Sequence, residues 1–204
     1  MIGIVDYGLG NVQAFLTAYK RMNIPAFAAR RADQLADATK IILPGVGAFD
    51  HAMQLLNQSG LREPVLEHGR SGKVPILGVC VGMQILADGS DEGVAKGLGL
   101  VPGQVKSLDT LKGASILPMP HMGWNDVQPA PSMPLFKGLG QDPRFYFLHS
   151  YYYACNDNSD VAATVGYGET FCCAVNRGSV FGVQFHPEKS HSFGSTLLRN
   201  FAEL

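Results

Sequence analysis

Residues 74–84 read VPILGVCVGMQ, an apolar run that passes directly into small residues around a single cysteine. Residues 74–79 predict a buried strand, because a strand covered on both faces reads as a short continuous apolar run. Residues 82–87 predict a helix. Cys80 therefore lies at a strand-to-helix turn, and this turn predicts an α/β fold with a reactive position at the edge of its sheet.

Strands and helices alternate through the first half of the chain. Strands are predicted at residues 2–6, 26–30 and 40–44, and helices at residues 11–23 and from Phe49 onward. This alternation predicts a parallel sheet with helices on both faces. The second half predicts strands at 100–106, 122–127, 145–154, 161–166, 171–176 and 180–185.

We therefore expect a single domain over residues 1–204, with an open, mostly parallel central sheet, helices on both faces and antiparallel strands added in the C-terminal half. Residues 107–120 predict a loop. A final helix is predicted to carry four apolar residues on one face, namely Leu197, Leu198, Phe201 and Leu204.

Composition excludes several classes of protein. Hydrophobic residues make up 46% of the 204 residues and charged residues 16%, which favours a folded core over disorder. The net charge is −1 without a dense basic cluster, so we expect no nucleic-acid binding. No apolar run reaches the roughly 20 residues of a membrane helix. The beginning of the sequence, MIGIVDYG, has no basic region typical of a secretory signal. The four cysteines have no zinc-site spacing, so we expect a cytoplasmic protein with reduced thiols and no metal.

Cys80 has the local chemistry of a nucleophile. Gly78 and Gly82 leave room for a sharp turn that exposes the sulfur at the edge of the sheet. The free N–H groups at the start of the following helix favour a negatively charged sulfur, and the N–H of Val81 can stabilise an oxyanion. A buried core thiol is the competing interpretation, because free cysteine is among the most buried residue types.

A thiolate nucleophile needs a base and a group that orients the base. Among six histidines, His186 follows an apolar strand in GVQFHPEKS (182–190), and functional groups collect at such strand ends. With Pro187 between them, we expect the local chain to be extended, so that both side chains lie on the same side. Glu188 can then hold the imidazole while the other ring nitrogen faces Cys80. A structural histidine beside a solvated glutamate is the alternative.

The segment PGVG at residues 44–47 follows a predicted strand. Its two glycines permit positive φ, so the backbone at Val46 and Gly47 can direct an N–H at an oxyanion. An ordinary strand-to-helix turn is the alternative interpretation.

The segments PGVGAF, LGVCVGMQ and GVQFHPEKS occur in this order and together resemble the class I, triad-type glutamine amidotransferases. Three further segments are similar to the glutaminase subunits of imidazole glycerol phosphate synthase, an enzyme of histidine biosynthesis: DYGLGN (6–11), PHMGWN (120–125) and FYFLHSYYY (145–153). The resemblance spans nearly the whole chain, and no catalytic position departs from the family pattern.

This resemblance implies roles for individual residues. Cys80 is the nucleophile, His186 the general base and acid, and Glu188 its orienting partner. The oxyanion hole is implied at the backbone of Val46, Gly47 and Val81. The contacts to the substrate glutamine are implied at Gln84, Ser150 and Tyr151. The reaction is hydrolysis of glutamine to glutamate and ammonia through a glutamyl thioester, without a cofactor or a metal.

The resemblance also implies a partner. In these enzymes the ammonia passes to a (β/α)8-barrel cyclase subunit of a heterodimer, which makes imidazole glycerol phosphate and an aminoimidazole-carboxamide ribotide. Such a barrel needs roughly 250 residues, so we expect it on a separate chain. The implied docking face consists of Asn11, Trp124, Tyr146 and Lys189. We expect loaded cyclase to favour the state of PGVG whose N–H faces the oxyanion.

Four other interpretations differ in what they require. An amidotransferase subunit of another pathway would lack PHMGWN. A cysteine peptidase or other hydrolase would need neither Gln84 nor a partner. A nucleotide-binding module, suggested by Gly8-Leu9-Gly10, would need a glycine where the chain has Gln13. A non-catalytic subunit is disfavoured because all three triad positions are intact.

Overall fold

The structure, a computed structural model, describes residues 1–113 and 117–204, which form twelve strands and six α-helices. The strands are β1 (Ile2–Val5), β2 (Ala26–Ala29), β3 (Lys40–Gly45), β4 (Ile76–Cys80), β5 (Gly89–Ser90), β6 (Gly103–Ser107), β7 (His121–Pro129), β8 (Arg144–His149), β9 (Tyr151–Cys155), β10 (Val161–Tyr167), β11 (Glu169–Arg177) and β12 (Val180–Val183). The helices are α1 (Val12–Arg21), α2 (Ala32–Leu35), α3 (Phe49–Gln58), α4 (Arg62–Ser71), α5 (Val81–Gln84) and α6 (His191–Glu203).

The strands form one sheet whose main path runs β2-β1-β3-β4-β12-β11-β10-β7-β8, and a branch of β9, β6 and β5 leaves it at β11. The strands from β2 to β12 along this path pair in parallel. From β12 to β8 the pairing is antiparallel. The predicted α/β fold class is confirmed, with a parallel centre and antiparallel strands contributed by the C-terminal half.

The order of the strands determines which helices share a face. Helix α1 connects β1 to β2 in one direction along the sheet, whereas α3 and α4 connect β3 to β4 in the opposite direction. Because such connections are right-handed, α1 covers one face and α3 with α4 covers the other. Helix α6 packs on α1, where the Tyr19 hydroxyl donates to the Leu198 carbonyl at 3.2 Å.

The C-terminal strands differ in detail from the prediction. The strand predicted at 145–154 is two strands, β8 and β9, because the chain breaks at Ser150. The loop predicted at 107–120 contains a 3₁₀ turn at Leu108–Thr110, and its residues 114–116 lie outside the described residues.

The structure contains two helices that the sequence did not predict, α2 with only four residues and α4, and the last helix ends earlier than expected. Helix α4 was not predicted, since only Val65 and Leu66 among its ten residues are buried and its apolar face is narrow. Leu204 was wrongly placed on the buried face of the last helix: α6 ends at Glu203, and the Leu204 side chain is exposed. No helix in the described ranges is long and apolar enough to cross a membrane.

The turn after β4 is packed against its neighbours without space for side chains. An added Cβ at Gly78 would lie 2.5 Å from the carbonyl oxygen of Gly82, and one at Gly45 would lie 2.5 Å from the Gly82 nitrogen. At Gly182, in β12, a Cβ would lie 2.7 Å from Cγ of Met83. Helix α5 therefore lies directly on β3, β4 and β12, and glycines permit this approach.

Gly78→Ala is expected to destabilise the fold by about 1–3 kcal/mol, because its Cβ would meet backbone atoms of α5 that must shift. Gly166→Ala is the matched control, since nothing lies within 4 Å of its added Cβ. Urea unfolding of both variants measures the difference. Equal free energies of unfolding would contradict the close packing of α5 on β4.

Candidate active site

Three adjacent parallel strands end at the same edge of the sheet and carry the candidate catalytic groups. Strand β4 lies between β3 and β12, with Gly45 of β3 opposite Cys80 and Val183 of β12 opposite Val79. Val46 and Gly47 follow β3, and His186 follows β12. Groups that are more than 100 residues apart in sequence thereby meet at the carboxyl ends of the strands, where open α/β sheets bind ligands.

Cys80 has a strained backbone. Its φ of 55° and ψ of −116° lie in a region that non-glycine residues rarely adopt, at a cost of about 1–3 kcal/mol. The conformation reverses the chain between β4 and α5. The sulfur accepts a hydrogen bond from Nε2 of Gln184 at 3.8 Å. Such strain is typical of functional sites, where the surrounding packing holds it.

His186 and Glu188 form a buried pair. The imidazole Nδ1 lies 2.8 Å from Oε1 of Glu188, and both side chains are at least 95% buried. The expected extended backbone is present at His186, but the expectation is wrong for the residues that follow, because Pro187–Lys189 is a 3₁₀ turn. This turn folds the carboxylate back onto the ring. The His186 segment is held further by its backbone N–H, which donates to the Tyr146 carbonyl at 2.9 Å.

The charge around His186 favours its imidazolium form. Burial by itself lowers the pKa of His186, but hydrogen bonds with Cys80 and Glu188, together with the negative charges of both groups, outweigh burial and raise this pKa to about 9. The ring can thus hold a proton beside the sulfur at neutral pH. A cysteine paired with an imidazolium is the arrangement that activates a thiol nucleophile.

A cavity of about 320 Å³ opens at this edge of the sheet. Its walls include most of the residues that the sequence singled out: Val46, Gly47, Cys80, Val81, Gln84, Ser150, Tyr151, His186 and Lys189. Glu188 does not line it, because it lies behind the His186 ring and borders a second cavity of about 540 Å³, together with Asn11 and Lys189. The cavity is large enough for a small polar ligand.

The predicted oxyanion loop is anchored at one end and open at the other. The buried hydroxyl of Tyr7 donates to the Pro44 carbonyl at 2.8 Å. Burial, and then the charge of Cys80, raise the pKa of Tyr7, so this hydroxyl stays protonated. Gly47 has a φ of +85° and no atom within 4 Å of its added Cβ, so the end of the segment is unobstructed.

Two polar residues of the site, Gln184 and Glu92, were not predicted from the sequence. Gln184 is fully buried and bridges Gln84, whose Nε2 donates to its Oε1 at 3.0 Å, to the Cys80 sulfur. In the sequence, Gln184 stands out only as a single amide side chain within the apolar run FGVQF at residues 181–185. Glu92 lines the cavity, and its Oε2 accepts from the Phe49 backbone N–H at 2.9 Å. No local pattern marks Glu92, since it lies in a loop 43 residues from its partner.

Three of the four residues assigned to the docking face form a contiguous surface. Trp124 is 45% exposed, stacks on His191 at 5.2 Å between ring centroids and lies 6.1 Å from the ring of Tyr146. The Lys189 Nζ lies 5.8 Å from the centre of the Tyr146 ring. Asn11 caps α1 by accepting from the Ala14 N–H and borders the second cavity with Lys189. In the described part of the chain, no group of three or more His, Cys, Asp or Glu side chains is arranged to hold a metal ion.

The fold and the match to a family model define the class of protein. The family described as "Glutamine amidotransferase class-I" matches residues 5–204. A crystal structure of a glutamine amidotransferase has a TM-score of 0.75 at 21% identity, covering 99% of this chain and 97% of that one. The structure of PurLQS from Thermotoga maritima has a TM-score of 0.75 at 19% identity, covering 99% and 97%. At these identities the solved structures show a common fold.

The chain belongs to the class I glutamine amidotransferases and is an enzyme of that kind. It is 59% identical to imidazole glycerol phosphate synthase subunit HisH of Bdellovibrio bacteriovorus and 50% identical to the protein of the same name in Leptospira interrogans, each over the full length of both chains. It is 43% identical to subunit HisH 2 of Pseudomonas aeruginosa, again over the full length of both.

The titration of His186 is expected to depend on Cys80. In the native chain its pKa should be about 9, and in Cys80→Ser it should fall, because the thiolate and its hydrogen bond raise it. The folded-state pKa exceeds the ordinary value, so the contribution of His186 to the free energy of unfolding is fully present below about pH 6.5 and is lost as pH rises through 9. Imidazole NMR shifts against pH measure this directly. An identical titration in both proteins would contradict the Cys80–His186 interaction.

Proposed function

We propose that this chain is the glutaminase subunit of imidazole glycerol phosphate synthase, a single amidotransferase domain that supplies ammonia to a separate cyclase subunit. One observation carries the proposal: Cys80 and His186 face the same cavity, and Glu188 holds His186 from behind. The names of the full-length relatives support the choice of this synthase. The four free cysteines fit a reducing, cytoplasmic environment.

In the first half of the reaction, the Cys80 thiolate attacks the side-chain amide carbon of glutamine. The negative charge that develops on the amide oxygen is stabilised by backbone N–H groups of Val81 and of Val46 or Gly47. His186, as imidazolium, gives its proton to the departing nitrogen. Ammonia leaves, and the glutamyl group remains on the sulfur as a thioester.

In the second half, water replaces ammonia. His186, now neutral, takes a proton from water, which attacks the thioester carbon. Glutamate leaves with that oxygen, and the imidazolium and the Cys80 thiolate are restored. Glu188 accepts a hydrogen bond from Nδ1 of His186, so that the other ring nitrogen serves both steps.

The opposite wall of the cavity suits the amino-acid end of the substrate. The backbone of Ser150 and Tyr151 supplies N–H groups, and Gln84 adds an amide. Glu92 uses Oε2 to hold the Phe49 N–H, which leaves Oε1 as an acceptor. We assign Oε1 to the α-ammonium group of glutamine, because a charge-assisted hydrogen bond to a carboxylate is strong in a partly enclosed site.

The docking face lies next to the triad, which supports control by the cyclase. Tyr146 contributes its side chain to that face, while its backbone carbonyl holds the His186 N–H. Two exposed apolar side chains lie near the Tyr146 ring: Trp124, which belongs to the docking face, and Met122, which is 64% exposed. Aromatic residues and methionine are enriched at protein interfaces. A partner that binds this face and moves Tyr146 would therefore also move the backbone that positions the catalytic imidazole.

Glutamate release from glutamine tests the reaction. The chain is assayed alone, with a cyclase subunit, and with cyclase and its nucleotide ligand, and we expect strong stimulation in the last case. Cys80→Ser should lower release by at least about 1,000-fold, since the nucleophile is lost, while synthesis from added ammonia by the complex persists. Cys155→Ser is the matched control for loss of a thiol and should keep its rate.

Two results would overturn parts of this assignment. Free glutaminase activity without stimulation would retain Cys80 as nucleophile and transfer the chain to another amidotransferase. Full glutamate release by Cys80→Ser would remove Cys80 from the reaction altogether.

The docking face is tested by Trp124→Ala, which should weaken cyclase binding by at least about 30-fold, as expected for a central interface tryptophan. Glutamate release by the variant alone should stay within about twofold of the native rate, since Trp124 does not line the catalytic cavity. Leu204→Ala is the control, an exposed apolar residue at the far end of α6. Titration calorimetry with the cyclase measures both, and equal binding by both variants would place the docking face elsewhere.

A further inference from the structure

Two buried histidines outside the triad face each other beside the cavity. His121 begins β7 and His149 ends β8, and the two are opposite each other in the antiparallel pairing. Both are at least 94% buried, and Nδ1 of His121 lies 2.8 Å from Nε2 of His149. Their sequence positions indicate only a structural role at strand ends, and the proposed reaction uses neither.

The partners of the two rings fix where their protons lie. His149 Nδ1 lies 2.7 Å from the Tyr151 carbonyl oxygen, which can only accept, so this nitrogen carries the hydrogen. Nε2 of His149 must then accept from Nδ1–H of His121. Nε2 of His121 accepts in turn from Nδ2 of Asn125 at 3.3 Å. The four groups form one chain of hydrogen bonds directed from Asn125 to the Tyr151 carbonyl.

Both rings are neutral, because these hydrogen bonds require one donor nitrogen and one acceptor nitrogen on each ring. Burial lowers the pKa of His121 to about 4. Burial lowers that of His149 to about 3, although the hydrogen bond to the Tyr151 carbonyl raises it, and the neighbouring His121 and His186 lower it further. A proton added to either ring would place two donors face to face. Because both rings are neutral, all the hydrogen bonds from Asn125 to the Tyr151 carbonyl persist at physiological pH.

The chain of hydrogen bonds ends on the peptide that borders the cavity. Ser150 and Tyr151 lie at the break between β8 and β9 and line the cavity wall. The Tyr151 carbonyl also accepts from Nε2 of Gln84 at 3.4 Å, and the Ser150 carbonyl accepts from the Leu108 N–H at 2.9 Å. The Ser150 carbonyl fixes the peptide plane before Tyr151 and the Tyr151 carbonyl fixes the plane after it, so the backbone at Tyr151 is held from both sides.

We propose that the His121–His149 pair is a positioning element that, through the Tyr151 carbonyl, holds the backbone of Ser150 and Tyr151 in position for binding the amino-acid end of the substrate. This inference rests on the proposed glutaminase function. Neither histidine acts on the reacting atoms; the pair contributes by holding the Tyr151 carbonyl, so that its loss weakens recognition of the substrate and leaves the sulfur as reactive as before.

Two substitutions of His121 separate positioning from packing. His121→Phe keeps a flat ring between Phe147 and Tyr167, which stack on His121 with centroids at 4.7 and 4.2 Å, but removes the donor to His149. His121→Asn loses the ring yet places an amide N–H at the position of Nδ1. A role in hydrogen bonding predicts that Asn is the better replacement, whereas a role in packing predicts Phe.

The readout compares two reagents that alkylate Cys80. One is a glutamine analogue with an electrophilic carbon in place of the amide, and the other is iodoacetamide, which has no amino-acid end. For His121→Phe we expect the alkylation rate constant with the glutamine analogue to fall at least about tenfold. This factor corresponds to about 1.4 kcal/mol, the contribution of one hydrogen bond. The alkylation rate constant with iodoacetamide should be unchanged. His121→Asn should recover most of the analogue rate.

A measurement on the native chain needs no variant. Nitrogen-15 NMR should show both rings neutral with the hydrogen on Nδ1. The proposal is overturned if either ring carries its hydrogen on Nε2, if both alkylation rates fall together in His121→Phe, or if His121→Asn shows no recovery. Failure of the glutaminase function would appear separately, as native Cys80 that glutamine does not protect from iodoacetamide.

Discussion

The positive φ of Cys80 is the constraint on which the rest of the site depends. A side chain with a Cβ is held there at a cost of about 1–3 kcal/mol, and the surrounding structure supplies the compensation. Helix α5 can press on three strands only because glycines face it at Gly45, Gly78 and Gly182. The close packing of α5 that strains the Cys80 backbone thus directs the sulfur into the cavity. It also directs the N–H groups at the start of α5 towards that cavity.

The second requirement is the position of β12. The last parallel strand enters beside β4, although about 100 residues and seven strands separate them along the chain. This placement brings His186 to the sulfur, and the 3₁₀ turn that follows brings Glu188 to His186. The antiparallel strands support this arrangement: β8 holds the His186 backbone through Tyr146, and β7 and β8 together hold the cavity wall at Tyr151 through His121 and His149. This one pair of strands therefore supports both the His186 backbone and the cavity wall at Ser150 and Tyr151.

Much of this arrangement could be predicted from the sequence, since local patterns encode it. The apolar run before Cys80 and its flanking glycines predict the elbow, and PGVG and His-Pro-Glu each have a recognisable local form. The contribution of Gln184 and Glu92 could not be predicted, because their partners come from other elements and depend on strand order and register. Likewise, His121 and His149 are 28 residues apart, and only the antiparallel register of β7 and β8 brings them into contact. The backbone of His186 is extended, as the X-Pro preference predicts, but this preference does not act on the residues after the proline, and these form a short turn.

The most direct test of covalent catalysis by Cys80 is to trap the intermediate. The chain, activated by loaded cyclase, is quenched in acid during turnover of isotopically labelled glutamine, digested and analysed by mass spectrometry. A glutamyl thioester should be found on the peptide that contains Cys80, with Cys155, Cys172 and Cys173 unmodified as internal controls. Labelled glutamate released at full rate with no adduct on Cys80, or with the adduct on one of the other three cysteines, would contradict the mechanism.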